Sequence, residues 1–244
     1  MSKNDKKDQI KDWYNLLEKK NKEDKNFEID KNFDKHGILP TSMICLIAGT
    51  GGGKSTAFME FLLERKKNTF CEVIIFNPVN VDEPIYNFLK KINNDVQLID
   101  DIEDLPDLKD YDDNKKTEKL LICDDIITMN NKDLKKIESY LISSRKFGFT
   151  CIVMCQNYVS LSKKITRNIS YFCVFKLNDN VSINTIIKNH NIYGIDKDYI
   201  LECYRDAVVT PKDFLMFDCH INGEKNKCLR HNFTDYYDIP DKNY

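Results

Sequence analysis

Residues 45–67, CLIAGTGGGKSTAFMEFLLERKK, hold four glycines in five positions (Gly49, Gly51, Gly52 and Gly53) between an apolar run and an amphipathic one, with Lys54 and Ser55 directly behind. Glycine reaches positive φ without a Cβ clash, so successive backbone N–H groups in such a stretch can curl inward and cradle an anion. An apolar strand before the loop and a helix after it is the context that a phosphate-binding loop requires. The spacing from Ala48 to Ser55 reads A-x-x-x-x-G-K-S, with alanine in place of the usual leading glycine and Gly49 beside it. Ala48, Gly49, Thr50, Gly51, Gly52 and Gly53 are therefore expected to wrap the phosphates of ATP. Lys54 is expected to reach the β- and γ-phosphates, Ser55 to bind Mg²⁺, and Thr56 to lie near the α-phosphate at the positive end of the helix. The competing interpretation is a glycine-rich turn with an incidental lysine.

A second stretch weakens that alternative. In KLLICDDI an apolar strand ends in Asp124 and Asp125. A carboxylate at a strand tip can share the metal with Ser55, which assigns Asp124 to Mg²⁺, and the following Asp125 is expected to polarise a water for in-line attack. The strand TCIVMCQ ends in Gln156, a polar group suited to sense the γ-phosphate or orient the water. The 37 basic residues include only five arginines, Arg65, Arg145, Arg167, Arg205 and Arg230. Only arginine grips phosphate oxygens with a planar fork, so a well-placed one carries weight. Arg145, at the end of a helix stopped by Gly148, is the expected finger into a neighbour's site, and Arg167 is the competing candidate.

The rest of the chain frames these motifs. Short runs rich in Ile, Val, Phe and Cys alternate with helical patterns, as in a mostly parallel sheet covered on both faces. Strands are predicted at 43–48, 72–77, 96–99, 120–124, 150–155, 170–177 and 214–219, and helices at 54–66, 83–91, 132–146 and 182–189. The fold class read from these patterns is α/β, a P-loop NTPase with a mostly parallel sheet carrying helices on both faces. Residues 1–35, with ten lysines and nine acids, are expected to form a charged arm. Its Ile10, Trp13, Tyr14 and Leu17 share one helical face, and residues 36–244 are expected to form the ATPase domain with a strand and hairpin extension. The acidic stretch 99–118 is expected as a surface loop. The nine cysteines are expected as thiols, and Cys219, His220, Cys228 and His231 match no common zinc spacing. Thirty-nine acidic residues nearly cancel the basic ones, so nucleic-acid contact needs a local basic face such as Lys163, Lys164 and Arg167. No run is long and apolar enough to span a bilayer, and the polar start MSKNDKKDQI lacks a signal sequence's apolar core.

Taken in order, the loop Ala48–Ser55, the Asp124–Asp125 strand end, SSRKFGFTCIVMCQN and RNISYFCVFKLND resemble the genome-packaging ATPases of large double-stranded DNA viruses and their virophages, within the FtsK/HerA superfamily of P-loop motors. The resemblance covers about residues 41–218. It implies a RecA-like sheet and an oligomeric ring that uses ATP to drive double-stranded DNA into a preformed capsid, with a capsid or portal-vertex protein as partner, and a soluble protein of the host cytoplasm or viral factory that can also enter the virion. Asp-Asp stands where Asp-Glu is commoner in the family. Three other classes use the same cradle: a small-molecule kinase, which needs more clustered arginines; a helicase or AAA+ remodeller, the latter needing a helical lid; and a slow nucleotide-dependent switch.

Overall fold

The computed structural model describes residues 30–240 except 93–94, 115–116, 179, 191–193 and 221–224. The apolar segments form one nine-stranded sheet in the order β3-β2-β4-β5-β1-β6-β7-β8-β9. Its strands are β1 (Met43–Ile47), β2 (Phe70–Phe76), β3 (Val96–Ile99), β4 (Glu118–Asp124), β5 (Phe149–Cys155), β6 (Tyr171–Phe175), β7 (Phe214–Asp218), β8 (Leu229–His231) and β9 (Asp235–Tyr236). The first six are parallel, and β7 to β9 add an antiparallel extension at one side. Strands β1, β4, β5, β6 and β7 are buried along their whole length, which is why they read as continuous apolar runs.

Each face of the sheet carries its own helices. Ile44 and Leu46 of β1 point to the face covered by α1 (Lys54–Glu60, continued as a π-helical turn Phe61–Arg65) and α2 (Pro84–Ile92), through Ala57, Phe58, Phe61, Tyr86 and Leu89. Cys45 and Ile47 point to the face covered by α3 (Asn131–Ser144), α4 (Asn180–Asn189) and α5 (Lys197–Ala207), through Ile137, Leu141, Ile183, Ile186, Ile200 and Cys203. Asn130 and Asp196 start α3 and α5 by accepting N–H bonds from the first turn.

Three expectations change. Helix α5 is additional to the predicted elements, and the strand and hairpin extension expected at the C-terminal end consists of β7 with the short strands β8 and β9. The acidic stretch 99–118 is more than a loop: it holds a single 3-10 turn at Ile102–Asp104 and a longer 3-10 helix at Leu108–Asn114, and Tyr111 is buried edge-on against Phe149 at 5.0 Å. The supposed arm also reaches the core at its end. Asp30 bonds His36 at 2.7 Å and lies 3.4 Å from the ammonium of Lys66, which in turn reaches Glu118 at 3.3 Å. Residues 1–29, with the Ile10–Leu17 pattern, and residues 221–224 lie outside the described residues.

Candidate active site

Parallel strands put every strand exit on one edge of the sheet, and that edge collects the motifs. Strand β5 lies between β4 and β1, so the exits carrying Asp124, Gln156 and the glycine loop are neighbours, with β4 and β1 roughly 10 Å apart. The Ala48 amide donates to the Cys155 carbonyl at 3.1 Å and so pins the loop's start to the strand that ends in Gln156.

The loop is tightly wound. Gly51 and Gly53 have φ of 73° and 110°, and the Gly52 amide donates to the Gly49 carbonyl at 3.0 Å. A Cβ on Gly52 would sit 2.8 Å from the Ala48 Cβ and 2.9 Å from the Gly49 carbonyl oxygen. This contact explains the glycine at 52, because any side chain there would meet both Ala48 and the Gly49 carbonyl. The Lys54 ammonium donates to the Ala48 carbonyl at 2.8 Å, which folds the cation back across the loop. The glycines are not equivalent. Gly52→Ala is expected to weaken ATP binding by about tenfold or more, the cost of an overpacked contact. Gly49→Ala, with no atom within 4 Å of the added methyl, is expected to bind as wild type. Isothermal titration of both variants checks the contrast.

Asp124 is 6% exposed, and both of its oxygens are engaged. Oδ1 accepts the Asp125 amide at 3.0 Å, and Oδ2 accepts the Tyr86 hydroxyl at 2.6 Å. Burial holds the Asp124 carboxyl above its ordinary range; the Tyr86 hydrogen bond opposes this, adjacent Asp125 adds to it, and the positive charge of Lys54 opposes it. Lys54 and Asp124 are therefore close enough to feel each other electrostatically across one cleft. Asp125 takes φ of 50°, a strained conformation for a non-glycine residue, and its carbonyl accepts both the amide and the hydroxyl of Thr128. Gln156 is exposed at the end of β5.

The donor set fits ATP with Mg²⁺: a glycine cradle that a Cβ would fill, a lysine folded over it, Ser55 in the first turn of α1, and a buried carboxylate at the exit of β4.

Comparison with known proteins gives the lineage. Residues 30–235 match the family described as poxvirus A32 protein. The chain belongs to the poxvirus A32 protein family. Among solved structures it is similar to B204, the DNA-packaging ATPase from Sulfolobus turreted icosahedral virus, at 17% identity and a TM-score of 0.54, over 80% of this chain and 98% of that one. It is also similar to the genome packaging NTPase B204 of Sulfolobus turreted icosahedral virus 2 in complex with ATP-gammaS, at 13% identity and a TM-score of 0.52, over 80% of this chain and 98% of that one. EssC (ATPases 2 and 3) from Geobacillus thermodenitrificans matches at 15% identity and a TM-score of 0.51, over 84% of this chain and 41% of that one. At such identities the likeness is one of fold, and it supports the α/β P-loop class. None of the curated protein sequences compared with the chain matches it.

Not every predicted site residue of this A32-family chain reaches the cleft. Arg145 precedes β5 and so lies on the opposite edge, where its Nε donates to the Thr41 carbonyl at 2.6 Å. It cannot act on its own subunit's loop. Arg167 is exposed after the helical turn Lys163–Thr166, three residues before Ser170, whose amide bonds Met43 at that same opposite edge. Lys163 and Lys164 are exposed beside it. Among the described residues no group of His, Cys, Asp and Glu is arranged to hold a metal. His220 instead bonds Asp218, and His231 bonds Asp213.

Tyr86 was not visible from the sequence. It sits in the first turn of α2, 0% exposed, and Asn77, just past the end of β2, hydrogen-bonds the same hydroxyl. A hydrogen bond to a charged group contributes about 1.5–3 kcal/mol. Tyr86→Phe is expected to leave the fold intact and to raise several-fold the Mg²⁺ concentration needed for half-maximal ATP turnover. A Mg²⁺ titration checks this, and an unchanged midpoint would show that the phenol does not position Asp124.

Proposed function

We propose that this protein is an ATP-driven motor that moves double-stranded DNA into a viral capsid. The observation that carries the reading is the meeting of Lys54 and Asp124 at one sheet edge with the Gln156 strand between them. Membership of the A32 family and the fold shared with B204 support the packaging role.

In this reading the amides of Ala48–Gly53 and the Lys54 ammonium neutralise the phosphates, with Thr56 beside the α-phosphate. Ser55 and Asp124 hold Mg²⁺, which spreads the charge that develops on the γ-phosphoryl group. Asp125 accepts a proton from the attacking water and Gln156 fixes that water's direction. Arg145 serves the site of the next subunit in a ring, since its own site is at the far edge. Lys163, Lys164 and Arg167 form the exposed basic cluster available to the DNA backbone.

The test is ATP turnover with and without duplex DNA. A motor is stimulated by duplex, a kinase instead requires an acceptor, and a switch is indifferent to both. Stimulation that fades steeply with salt fits contact through phosphates.

A further inference from the structure

The C-terminal extension brings one more cation to the glycine loop. Strand β7 runs antiparallel to β6, with Phe214 paired to Phe175, so the chain enters β7 at the edge where the loop lies. The entering residues Thr210–Asp213 form a turn closed by the Asp213 amide on the Thr210 carbonyl at 3.2 Å, with Pro211 at its second position and Lys212 at its third. Lys212 has φ of 75°. That third position favours glycine or asparagine, and a lysine there pays a conformational cost.

Lys212 is also pressed against the loop. A Cβ on Gly53 would lie 2.9 Å from the Lys212 Cβ and 3.0 Å from its Cα, with the Phe175 ring at 3.1 Å. The turn is held rigidly: the Asp213 carboxylate takes His231 at 3.1 Å and the Asn232 amide at 3.1 Å, while the Phe214 amide donates to Asn232 Oδ1 at 3.2 Å. Among the described residues no hydrogen bond or ion pair engages the Lys212 ammonium, and the residue is exposed. A strained, exposed lysine rooted against the residue before Lys54 has a flexible four-carbon stem with which to reach an anion in the cradle.

We propose that Lys212 is a second phosphate-binding cation of the nucleotide site, supplied in cis by the β7 turn and contacting the polyphosphate of a bound nucleoside di- or triphosphate. This rests on the ATPase reading above. It gives the extension a role in the site and explains a lysine where glycine suits the backbone better.

The test uses the full chain and equilibrium binding of ATP and ADP to wild type, Lys212→Gly, Lys212→Met and Lys212→Arg. Glycine suits the positive φ, so Lys212→Gly keeps or improves the fold while deleting the charge. Both neutral variants are expected to bind ATP and ADP about tenfold more weakly. Their affinity should also depend less steeply on salt than that of wild type, and Lys212→Arg should recover most of the loss. Neutral variants that match wild type in affinity and salt slope would overturn the proposal and leave Lys212 a packing residue over Gly53. A wild type that binds no ATP would instead sink the ATPase reading itself, so the two failures are distinguishable.

Discussion

Lys54→Ala is expected to abolish measurable ATP turnover, a loss of about 10³-fold or more, while the protein keeps its fold. The magnitude follows from the role: removing one preorganised donor aimed at developing charge in a catalytic site costs about 10²–10³-fold. Lys54 carries a full charge and also bonds the Ala48 carbonyl at 2.8 Å. The loop should survive the change, because its winding depends on Gly51, Gly53 and the Gly52–Gly49 hydrogen bond and needs no lysine. Circular dichroism and steady-state turnover separate the two effects. The same variant tests the ring. Mixed with Arg145→Ala protein, it should recover part of the activity, since one subunit then offers an intact loop and its neighbour an intact arginine. No recovery across mixing ratios would count against Arg145 as the finger acting between subunits.

The candidate site's placement on one sheet edge was largely legible in the sequence because its parts are local. A strand, a glycine loop and a helix follow one another within 25 residues, and Asp124–Asp125 and Gln156 each end a continuous apolar run. Parallel topology does the rest, since the exits of β1 to β6 share one edge. The same rule fixes the position of Arg145: it precedes the strand that Gln156 ends, so it belongs on the opposite edge. Helix α5 is absent from the sequence-based expectations, although Asp196 caps it and Ile200, Cys203, Tyr204 and Ala207 recur on one face, because Glu202, Arg205 and Asp206 interrupt any continuous apolar run there. By contrast, the Tyr86 contact spans 38 residues and the Gly53–Lys212 contact spans far more, and neither leaves a periodic trace. Strands of three and two residues, β8 and β9, are too short to show alternation, and their pairing is decided by the neighbour they meet.

Arg230 shows how that meeting is held, and Arg230→Leu is expected to cost about 3–5 kcal/mol of stability, the usual penalty for stripping one partner from a buried charged network. The side chain is 1% exposed in β8. Its Nε donates to the Lys227 carbonyl at 3.2 Å, Nη1 to the carbonyls of His36 and of Phe233, and Nη2 to Asp218 at 3.4 Å. The guanidinium also stacks 4.8 Å from the Tyr236 ring. One planar group therefore ties β7, β8, β9 and the helical turn Phe33–His36 together. Leucine would leave these carbonyls without their donor and the Asp218 carboxylate with only His220 beside it. Arg230→Lys retains the charge but not the fork, and so should fall between wild type and leucine. Urea unfolding checks the order. Since β7 also carries the Lys212 turn, a loosened extension should weaken nucleotide binding in Arg230→Leu protein that is still folded. A loss under about 1 kcal/mol would mean that apolar packing alone seats the extension on the sheet.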